Sequence, residues 1–299
     1  MTSQTQPDPT EGASPAAIGA NTFLIGAQKA GTTYLAALLD QSPDVCVSDP
    51  KEPQFYTTNF DDGFDSYARC FRQPEARIRL DASTTYTFLR PRSQMDLDGA
   101  PGLTAPVPQR IKDVVPEARF VYVLRDPVKR AASAHRHRMR NEKAPDGPLS
   151  LVEAMEKNPM LALVGRYADQ IERWFEVFPA ARFLFLDFQR LTRDTRAVLD
   201  EVCAFLEVDA SAITIGDAER GKHGAHRITS TGALLGRAAK HMPGLARTVK
   251  AVIPSSVKAQ VLDPITKVPS EIVYHDEEAA AAFFEKDRAR TFELTGIRV

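Results

Sequence analysis

Long apolar runs are missing from this sequence, and so are paired cysteines and an excess of charge of one sign. No run of about 18 apolar residues occurs, so we predict no membrane span. Cys46, Cys70 and Cys203 lie far apart, without the short spacings of disulfide frameworks or metal sites. This predicts reduced thiols, a cytoplasmic location and no metal. The 38 basic and 39 acidic residues give a net charge of -1, so nothing in the composition predicts a nucleic-acid partner.

The first twenty residues also lack the features of a targeting segment. Residues 1–20 are rich in Pro, Ser, Thr and Ala, without the basic start and apolar centre of a signal peptide. We interpret them as a disordered leader. One domain is expected over residues 21–299, a length that suits a single large α/β domain.

Short apolar segments alternate with amphipathic segments along this domain. The strand candidates are "NTFLIGA", "DVCVS", "ARIRLDAS", "ARFVYVLRDP" and "ARFLFLDFQRL". The helix candidates include "TTYLAALLDQ", "RYADQIERWFEVFP", "TRDTRAVLDEVCAFLEV" and, at the end, "EEAAAAFFEKDRARTFELTG" with a glycine stop. The alternation predicts an α/β fold with a central, mostly parallel sheet that helices cover on both faces.

Acidic residues are absent from residues 220–262, which carry many Lys, Arg and His. We expect a basic, helical lid or arm within the domain. Two interpretations stay open: a solvated lid, or an arm that contacts an anionic membrane or an amphiphilic acceptor.

The segment "FLIGAQKAGTTYLAALL" passes from an apolar strand through a glycine-bearing turn into a helix. The amino end of a helix presents backbone N–H groups that bind anions, and glycine, lysine and hydroxyl groups strengthen such a site. Gly26 and Gly31 have the spacing of a nucleoside triphosphatase P-loop, but Thr32 stands where that loop requires lysine. Asp187 is a weak candidate for a Mg²⁺ ligand. A nucleotide kinase or P-loop triphosphatase is therefore the disfavoured alternative.

A second candidate for anion binding follows the strand "FVYVL". Arg125 comes at its carboxyl end, where α/β sheets place ligand contacts, and Pro127 suits a helix start. Ser133 lies eight residues after Arg125, so a guanidinium and a hydroxyl can converge on a second phosphate. Taken alone, the segment also fits a solvated basic helix.

Four ordered motifs together resemble the PAPS-dependent sulfotransferase family, whose donor is 3′-phosphoadenosine 5′-phosphosulfate (PAPS). The glycine-bearing loop is similar to that family's 5′-phosphosulfate loop, and "VYVLRDPVKRAASAH" is similar to its 3′-phosphate element. "SDPKEPQFY" and "LDASTTY" resemble segments of bacterial members and of the heparan sulfate type. The resemblance runs from about residue 21 to the end. It implies a P-loop-like sulfotransferase fold in a protein of bacterial type, with adenosine 3′,5′-bisphosphate (PAP) as product and no metal requirement.

The resemblance also implies which residues bind the donor. Lys29 would contact the bridging oxygen of the phosphosulfate and stabilise charge on the leaving group. The remaining donor-binding candidates are Gln28, Ala30, Gly31, Thr32 and Thr33 in the first loop, Arg125 and Ser133 at the second phosphate, Tyr167, and Lys222, His223, Gly224 and Arg227 in "ERGKHGAHR".

A carboxylate base is implied as well. Aryl and steroid members use a histidine in the region after the first helix, but no histidine precedes His135 in this chain. Glu52 matches the catalytic glutamate of heparan-type and related bacterial members, and Asp81 is the reserve candidate. The structural alternative for Glu52 is a surface carboxylate paired with Lys51 or Lys29. Candidates that line the acceptor site are Phe55 and Tyr56, for which a place in the core is the alternative, and His135, for which a solvated basic helix face is the first interpretation.

The expected acceptor is a hydroxyl group of a natural product, a glycolipid or a sugar. Ala82 follows Asp81 where heparan-type enzymes carry a lysine, which disfavours a highly sulfated glycosaminoglycan. A catalytically inactive nucleotide-binding module is a further alternative, and the presence of both Lys29 and Glu52 argues against it.

Overall fold

The computed structural model describes residues 19–88, 106–139, 149–216, 226–228, 267–269 and 272–299. These residues form two compact units. The first comprises residues 1–130, 162–220 and 281–299, and the second comprises residues 131–161 and 221–280, as far as each is described. The predicted leader lies outside the described residues except for its last two positions. The acid-free segment 220–262 lies outside them except for residues 226–228.

The first unit is built on a five-stranded parallel sheet. Its strands are β1 (Thr22–Gly26), β2 (Val45–Val47), β3 (Ile78–Asp81), β4 (Arg119–Leu124) and β5 (Phe183–Asp187), in the order β2-β3-β1-β4-β5. Every residue of β1 is buried, and so is all of β4 after its first residue. Such continuous burial is expected of parallel strands covered on both faces. The prediction of an α/β fold with a parallel sheet flanked by helices is confirmed.

The described helices are numbered here in chain order. They are α1 (Thr32–Leu39), α2 (Phe64–Ala68), α3 (Val107–Val114), α4 (Pro127–Arg138), α5 (Leu151–Lys157), α6 (Met160–Leu163), α7 (Tyr167–Phe175), α8 (Phe188–Arg193), α9 (Thr195–Leu206), α10 (Glu277–Ala281) and α11 (Glu285–Thr295). Among the described residues, none of these helices combines the length and the apolar character that crossing a bilayer requires.

Two aspartates divide segments that the sequence predicted as continuous. Strand β5 was expected to run on to Leu191, but Asp187 ends it and accepts a hydrogen bond from the Gln189 N–H at the start of α8. The predicted helix "TRDTRAVLDEVCAFLEV" is interrupted by Asp194, whose carboxylate accepts from the Ala197 N–H and begins α9. Aspartate favours such capping positions because its short side chain reaches the unpaired N–H groups of a first helical turn.

The last predicted helix is also divided. A 3₁₀ turn (Ala282–Phe284) separates α10 from α11. Helix α11 ends at Gly296, which has a φ of 71°. The expected glycine stop is confirmed, since glycine adopts this left-handed conformation without steric cost.

Aromatic rings pack along the first unit's sheet. Phe120 of β4 stacks on Phe23 of β1 with ring centres 5.6 Å apart, and on Phe183 of β5 at 4.8 Å. The fully buried Trp174 of α7 contacts Phe120 at 4.8 Å. The neighbouring strands that carry the candidate site are therefore held by one continuous aromatic core.

The second unit contains an antiparallel strand pair, β6 (His226–Ile228) and β7 (Lys267–Pro269). Elsewhere in this unit Asp276 accepts hydrogen bonds from the N–H groups of Leu151 and Val152 at 2.7 and 3.1 Å, which caps α5. Tyr274 forms a β-bridge with Leu149.

Helix α11 binds the rest of the first unit through Asp287, Arg288 and Arg290, and Arg290 pairs with Asp169 and Glu172 of α7. Asp287 accepts hydrogen bonds from the N–H groups of Tyr167 and Ala168 at 2.8 and 3.0 Å, which caps α7. Arg288 pairs with Asp126, directly after β4, at 2.7 Å. Burial raises the pKa of Asp287 to about 6, although the hydrogen bonds that it accepts oppose this shift.

We expect the stability of the protein to follow the ionisation of Asp287. Because burial raises its pKa from 3.8 to about 6, the folded state binds the proton more tightly than the unfolded state. The stability linked to the protonated form is complete below pH 3.8 and is lost as the pH rises through about 6. Relative to Asp287→Asn, the wild type should lose about 2 to 3 kcal/mol of unfolding free energy between about pH 4 and 7.

Urea denaturation of both proteins across this pH range measures the difference. The asparagine variant also changes the cap of α7, but that contribution is independent of pH. A constant difference between the two proteins at every pH would contradict the raised pKa.

Candidate functional site

The carboxyl ends of β1 and β4 form the sheet edge that the two predicted anion-binding segments border. These strands are neighbours, but the chain leaves β1 towards β2 on one side and leaves β4 towards β5 on the other. Such a topological switch opens a crevice in which α/β sheets bind ligands. The glycine-bearing loop follows β1 and Arg125 follows β4, so the two predicted anion-binding segments border the same crevice.

The loop after β1 places two residues in the left-handed conformation. Lys29 has a φ of 70° and Gly31 a φ of 82°. Helix α1 then begins without a side-chain cap and without an acidic residue in its first turn. Its amino end therefore suits an anion, because the helix dipole and the first N–H groups favour negative charge there. Of the other predicted loop residues, Gln28 is half-buried, Ala30 and Thr32 are buried, and Thr33 is exposed.

Arg125 joins the two segments. Its Nη1 donates a hydrogen bond to the carbonyl oxygen of Lys29 at 2.6 Å, and its guanidinium lies 4.5 Å from the centre of the Phe188 ring. The hydroxyl of Tyr167 donates to the carbonyl of Arg125 at 2.8 Å, and Tyr167 is fully buried. The sequence predicted Tyr167 as a donor contact, whereas this geometry favours a supporting role beneath Arg125.

Glu52 lies in a short chain of polar side chains beside the start of α1. One carboxylate oxygen is 2.8 Å from the Lys51 ammonium, and the other accepts from the Thr84 hydroxyl at 3.1 Å. The same ammonium donates to the Thr32 hydroxyl at 3.3 Å. The ion pair with Lys51 is the one that the structural alternative predicted. The carboxylate is therefore one side chain, that of Lys51, away from Thr32 in the loop.

Asp81 is fully buried at the end of β3. Its carboxylate accepts hydrogen bonds from the hydroxyls of Tyr67 and Tyr86 at 2.7 and 2.6 Å, and from the Ser83 N–H at 2.9 Å. Burial raises the pKa of Asp81, whereas these hydrogen bonds lower it, and the net direction is upward. The Ser83 hydroxyl in turn accepts from the Gln54 N–H at 3.0 Å. Asp81 therefore supports the turn that holds the Glu52 segment.

Phe55 and Tyr56 belong to the aromatic core around Asp81. Phe55 stacks on Tyr67 with ring centres 4.3 Å apart, and the Tyr56 N–H donates to the Tyr86 hydroxyl at 3.3 Å. Both side chains are almost completely buried. Of the two interpretations given from the sequence, this geometry supports the core.

The remaining predicted residues lie in the second unit or outside the residues that the structure describes. Ser133 and His135 are half-buried on α4, and Nδ1 of His135 is 2.8 Å from the hydroxyl of Tyr274. The backbone of Arg227 lies in β6. Lys222, His223 and Gly224 lie outside the described residues. In the described part of the chain, no three His, Cys, Asp or Glu side chains group as a metal ion would require.

Three residues at the site were not predicted as part of it. Lys51 contacts Thr32, Phe188 underlies Arg125, and Arg288 pairs with Asp126 beside Arg125. Lys51 could have been found from its position next to Glu52. Phe188 and Arg288 are distant in sequence from their partners, so no local pattern reveals them.

Comparisons with known proteins show which family the sequence resembles. The sequence profile of the family described as "Sulfotransferase domain" matches residues 20–222, about two thirds of the chain. The human bifunctional heparan sulfate N-deacetylase/N-sulfotransferase 3 is 30% identical over 203 residues, which cover 62% of this chain and 22% of that protein. The mouse bifunctional heparan sulfate N-deacetylase/N-sulfotransferase 1 is 30% identical over 210 residues, 63% of this chain and 22% of that protein. The chain thus matches about a fifth of the length of these curated relatives.

A solved structure supports the fold alone. The sulfotransferase from Alicyclobacillus acidocaldarius superposes with a TM-score of 0.57 at 24% identity, covering 94% of this chain and 97% of that one.

The crowded turn at Gly31 gives a direct test of the loop. A Cβ at Gly31 (φ 82°, ψ 12°) would lie 3.2 Å from the Phe188 ring and 3.3 Å from Leu191, whereas a Cβ at Gly296 (φ 71°, ψ 3°) meets nothing within 4 Å. Gly296→Ala should therefore cost about 1 kcal/mol, for the left-handed backbone alone. Gly31→Ala should cost at least about 2 kcal/mol, because the side chains under Arg125 must also shift.

Urea denaturation of the two variants measures both costs. Equal losses of stability would show that the loop is not packed against α8 as described.

Proposed function

Because the chain belongs to the sulfotransferase domain family, we propose that it transfers a sulfuryl group from PAPS to a hydroxyl group of a small molecule, a glycolipid or a sugar. The observation that carries the proposal is the hydrogen bond from Arg125 to the Lys29 carbonyl. It brings a guanidinium from one strand end to a glycine-bearing, helix-initiating loop from the next. Two anion-binding segments at one crevice suit a nucleotide with phosphates at both ends of its ribose.

The residues at this crevice fit such a donor chemically. The amino end of α1, with Thr32 and Thr33, would hold the 5′-phosphate through N–H and hydroxyl groups. Arg125 would hold the 3′-phosphate, since a planar guanidinium binds phosphate oxygens in pairs, and Ser133 is its predicted partner. When bound, PAPS supplies a sulfuryl group whose bond to the bridging oxygen breaks as the acceptor oxygen bonds to sulfur. Lys29 would stabilise the negative charge that this bridging oxygen gains.

Glu52 is the proposed base. A hydroxyl acceptor must lose its proton as its oxygen bonds to sulfur, and a carboxylate beside the loop would take that proton. Glu52 has a side chain that is 34% exposed, and it reaches the start of α1 through Lys51. Asp81 is the weaker candidate because it is fully buried and three donors already occupy its carboxylate.

The proposed acceptors span several chemical classes. Both of the relatives described above are named for N-sulfotransfer, so an amino sugar belongs beside sugars and glycolipids in any acceptor screen. Action in the cytoplasm without a metal requirement is part of the same proposal. For the basic 220–262 segment, both interpretations given from the sequence stay open: a solvated lid, or an arm that contacts a membrane or the acceptor.

Loss of Arg125 should weaken binding at the 3′-phosphate. Arg125→Ala should lower the affinity for PAP by at least about tenfold, because a charge-assisted pair of hydrogen bonds is removed. Its affinity for adenosine 5′-monophosphate, which has no 3′-phosphate, should fall by less, because only the lost contact with the Lys29 carbonyl affects that nucleotide. Calorimetric titration of both nucleotides measures the two effects. Unchanged PAP affinity would remove Arg125 from the donor site.

Loss of the Glu52 carboxylate should abolish transfer. With sulfur-35-labelled PAPS and a panel of sugars, amino sugars and glycolipids, the wild type should label an acceptor without added Mg²⁺. Glu52→Gln should reduce this rate by at least about a hundredfold, since a general base contributes a factor of this size, with PAP affinity nearly unchanged.

Asp81→Asn is the matched control for Glu52→Gln. It should lower stability by about 1 to 3 kcal/mol, because a buried amide cannot accept from both tyrosines and the Ser83 N–H. Its folded fraction should still transfer sulfate. Turnover of Glu52→Gln near the wild-type rate would eliminate Glu52 as base. ATP-dependent phosphoryl transfer that requires Mg²⁺ would favour the kinase alternative.

A further inference from the structure

The adjacent residues Lys51 and Glu52 bring opposite charges to the start of α1. We propose that Lys51 binds the 5′-phosphosulfate end of the donor as a second cation beside Lys29, and leaves Glu52 when it does so. The inference rests on the proposed function and gives a role to Lys51, a residue of the "SDPKEPQFY" segment to which the family resemblance assigned none.

The backbone of Lys51 is held in place on two sides. Its carbonyl oxygen accepts hydrogen bonds from the Ala82 N–H at 3.2 Å and from the Ser48 hydroxyl at 3.1 Å. The ammonium therefore extends from a fixed base, and its side chain is only 22% exposed. A lysine so restricted loses less conformational entropy on binding an anion than a surface lysine does.

The ammonium already reaches the predicted phosphate site. It lies 3.3 Å from the hydroxyl of Thr32, within the first turn of α1. A lysine ammonium carries three N–H donors, and the described contacts use two of them, one on Thr32 and one on Glu52. The third donor can reach an anion bound next to Thr32 without movement of the main chain.

The charges around α1 favour such a move. No acidic side chain lies in the first turn of α1, so Glu52 is the carboxylate that holds the ammonium there. A phosphosulfate placed at this helix end would attract the ammonium away from Glu52. The Glu52 oxygen that faced Lys51 would then be available to accept the acceptor's proton, and Thr84 would keep the other oxygen in place.

A comparison of truncated nucleotides tests this role. Lys51→Met keeps the length of the side chain and removes its charge. It should weaken PAP binding by about tenfold, the size expected for one charge-assisted hydrogen bond. Its affinity for adenosine 3′-monophosphate, which lacks the 5′-phosphate, should stay within about twofold of wild type. Lys51→Arg should recover most of the PAP affinity.

Lys112→Met is the matched control. Lys112 lies on α3, where its ammonium donates to the Pro116 carbonyl at 3.1 Å, away from the crevice residues. This variant should bind both nucleotides as the wild type does. Circular dichroism melting curves of each variant verify that it is folded before calorimetry.

Two results would overturn the role of Lys51. One is unchanged PAP affinity in Lys51→Met, and the other is an equal loss for PAP and for adenosine 3′-monophosphate, which would indicate a structural effect. Failure of the wild type to bind PAP would instead overturn the proposed function. The two failures are therefore distinguishable in a single set of titrations.

Discussion

The hydrogen bond from the Arg125 guanidinium to the Lys29 carbonyl is the contact on which the candidate site depends. It crosses the crevice between β1 and β4, so the positions of the two anion-binding segments are set relative to each other. The carbonyl that accepts this bond belongs to Lys29, whose backbone is left-handed, a conformation that non-glycine residues adopt at some energetic cost. The guanidinium also makes a cation–π contact with the ring of Phe188.

Buried polar groups extend this support outward. The Tyr167 hydroxyl donates a hydrogen bond to the carbonyl of Arg125, and the Asp287 carboxylate accepts one from the Tyr167 N–H. At the end of β3, the Asp81 carboxylate accepts a hydrogen bond from the Ser83 N–H, and the Ser83 hydroxyl accepts one from the Gln54 N–H near Glu52. Each chain of contacts starts from a buried carboxylate and ends at a half-buried group near the crevice. A buried carboxylate is costly unless it is fully hydrogen-bonded, so these groups restrict the positions of the residues that bind them.

Much of the fold and part of the site could be predicted from the sequence. Apolar runs located all five strands of the parallel sheet, because burial on both faces leaves a local signal. The loop at Gly31 could be located from its glycine, lysine and threonine residues, and Arg125 from its position at the end of an apolar run. The contact of Lys51 with Thr32 and the support of Arg125 by Tyr167 could not, since both join segments distant in sequence. The sequence predicts continuous elements across Asp187 and Asp194, because their capping role depends on where the chain turns.

The pairing of α11 with the strand-end residues also bears on how this chain can be cut or recombined. Asp287 and Arg288 lie well beyond residue 222, where the match to the family's sequence profile ends, yet they bind the start of α7 and Asp126. A fragment trimmed to the shared boundaries would leave these polar groups without their partners. In a chimaera with another member of the family, the segment that carries the candidate site would therefore have to be transferred together with its own terminal helix.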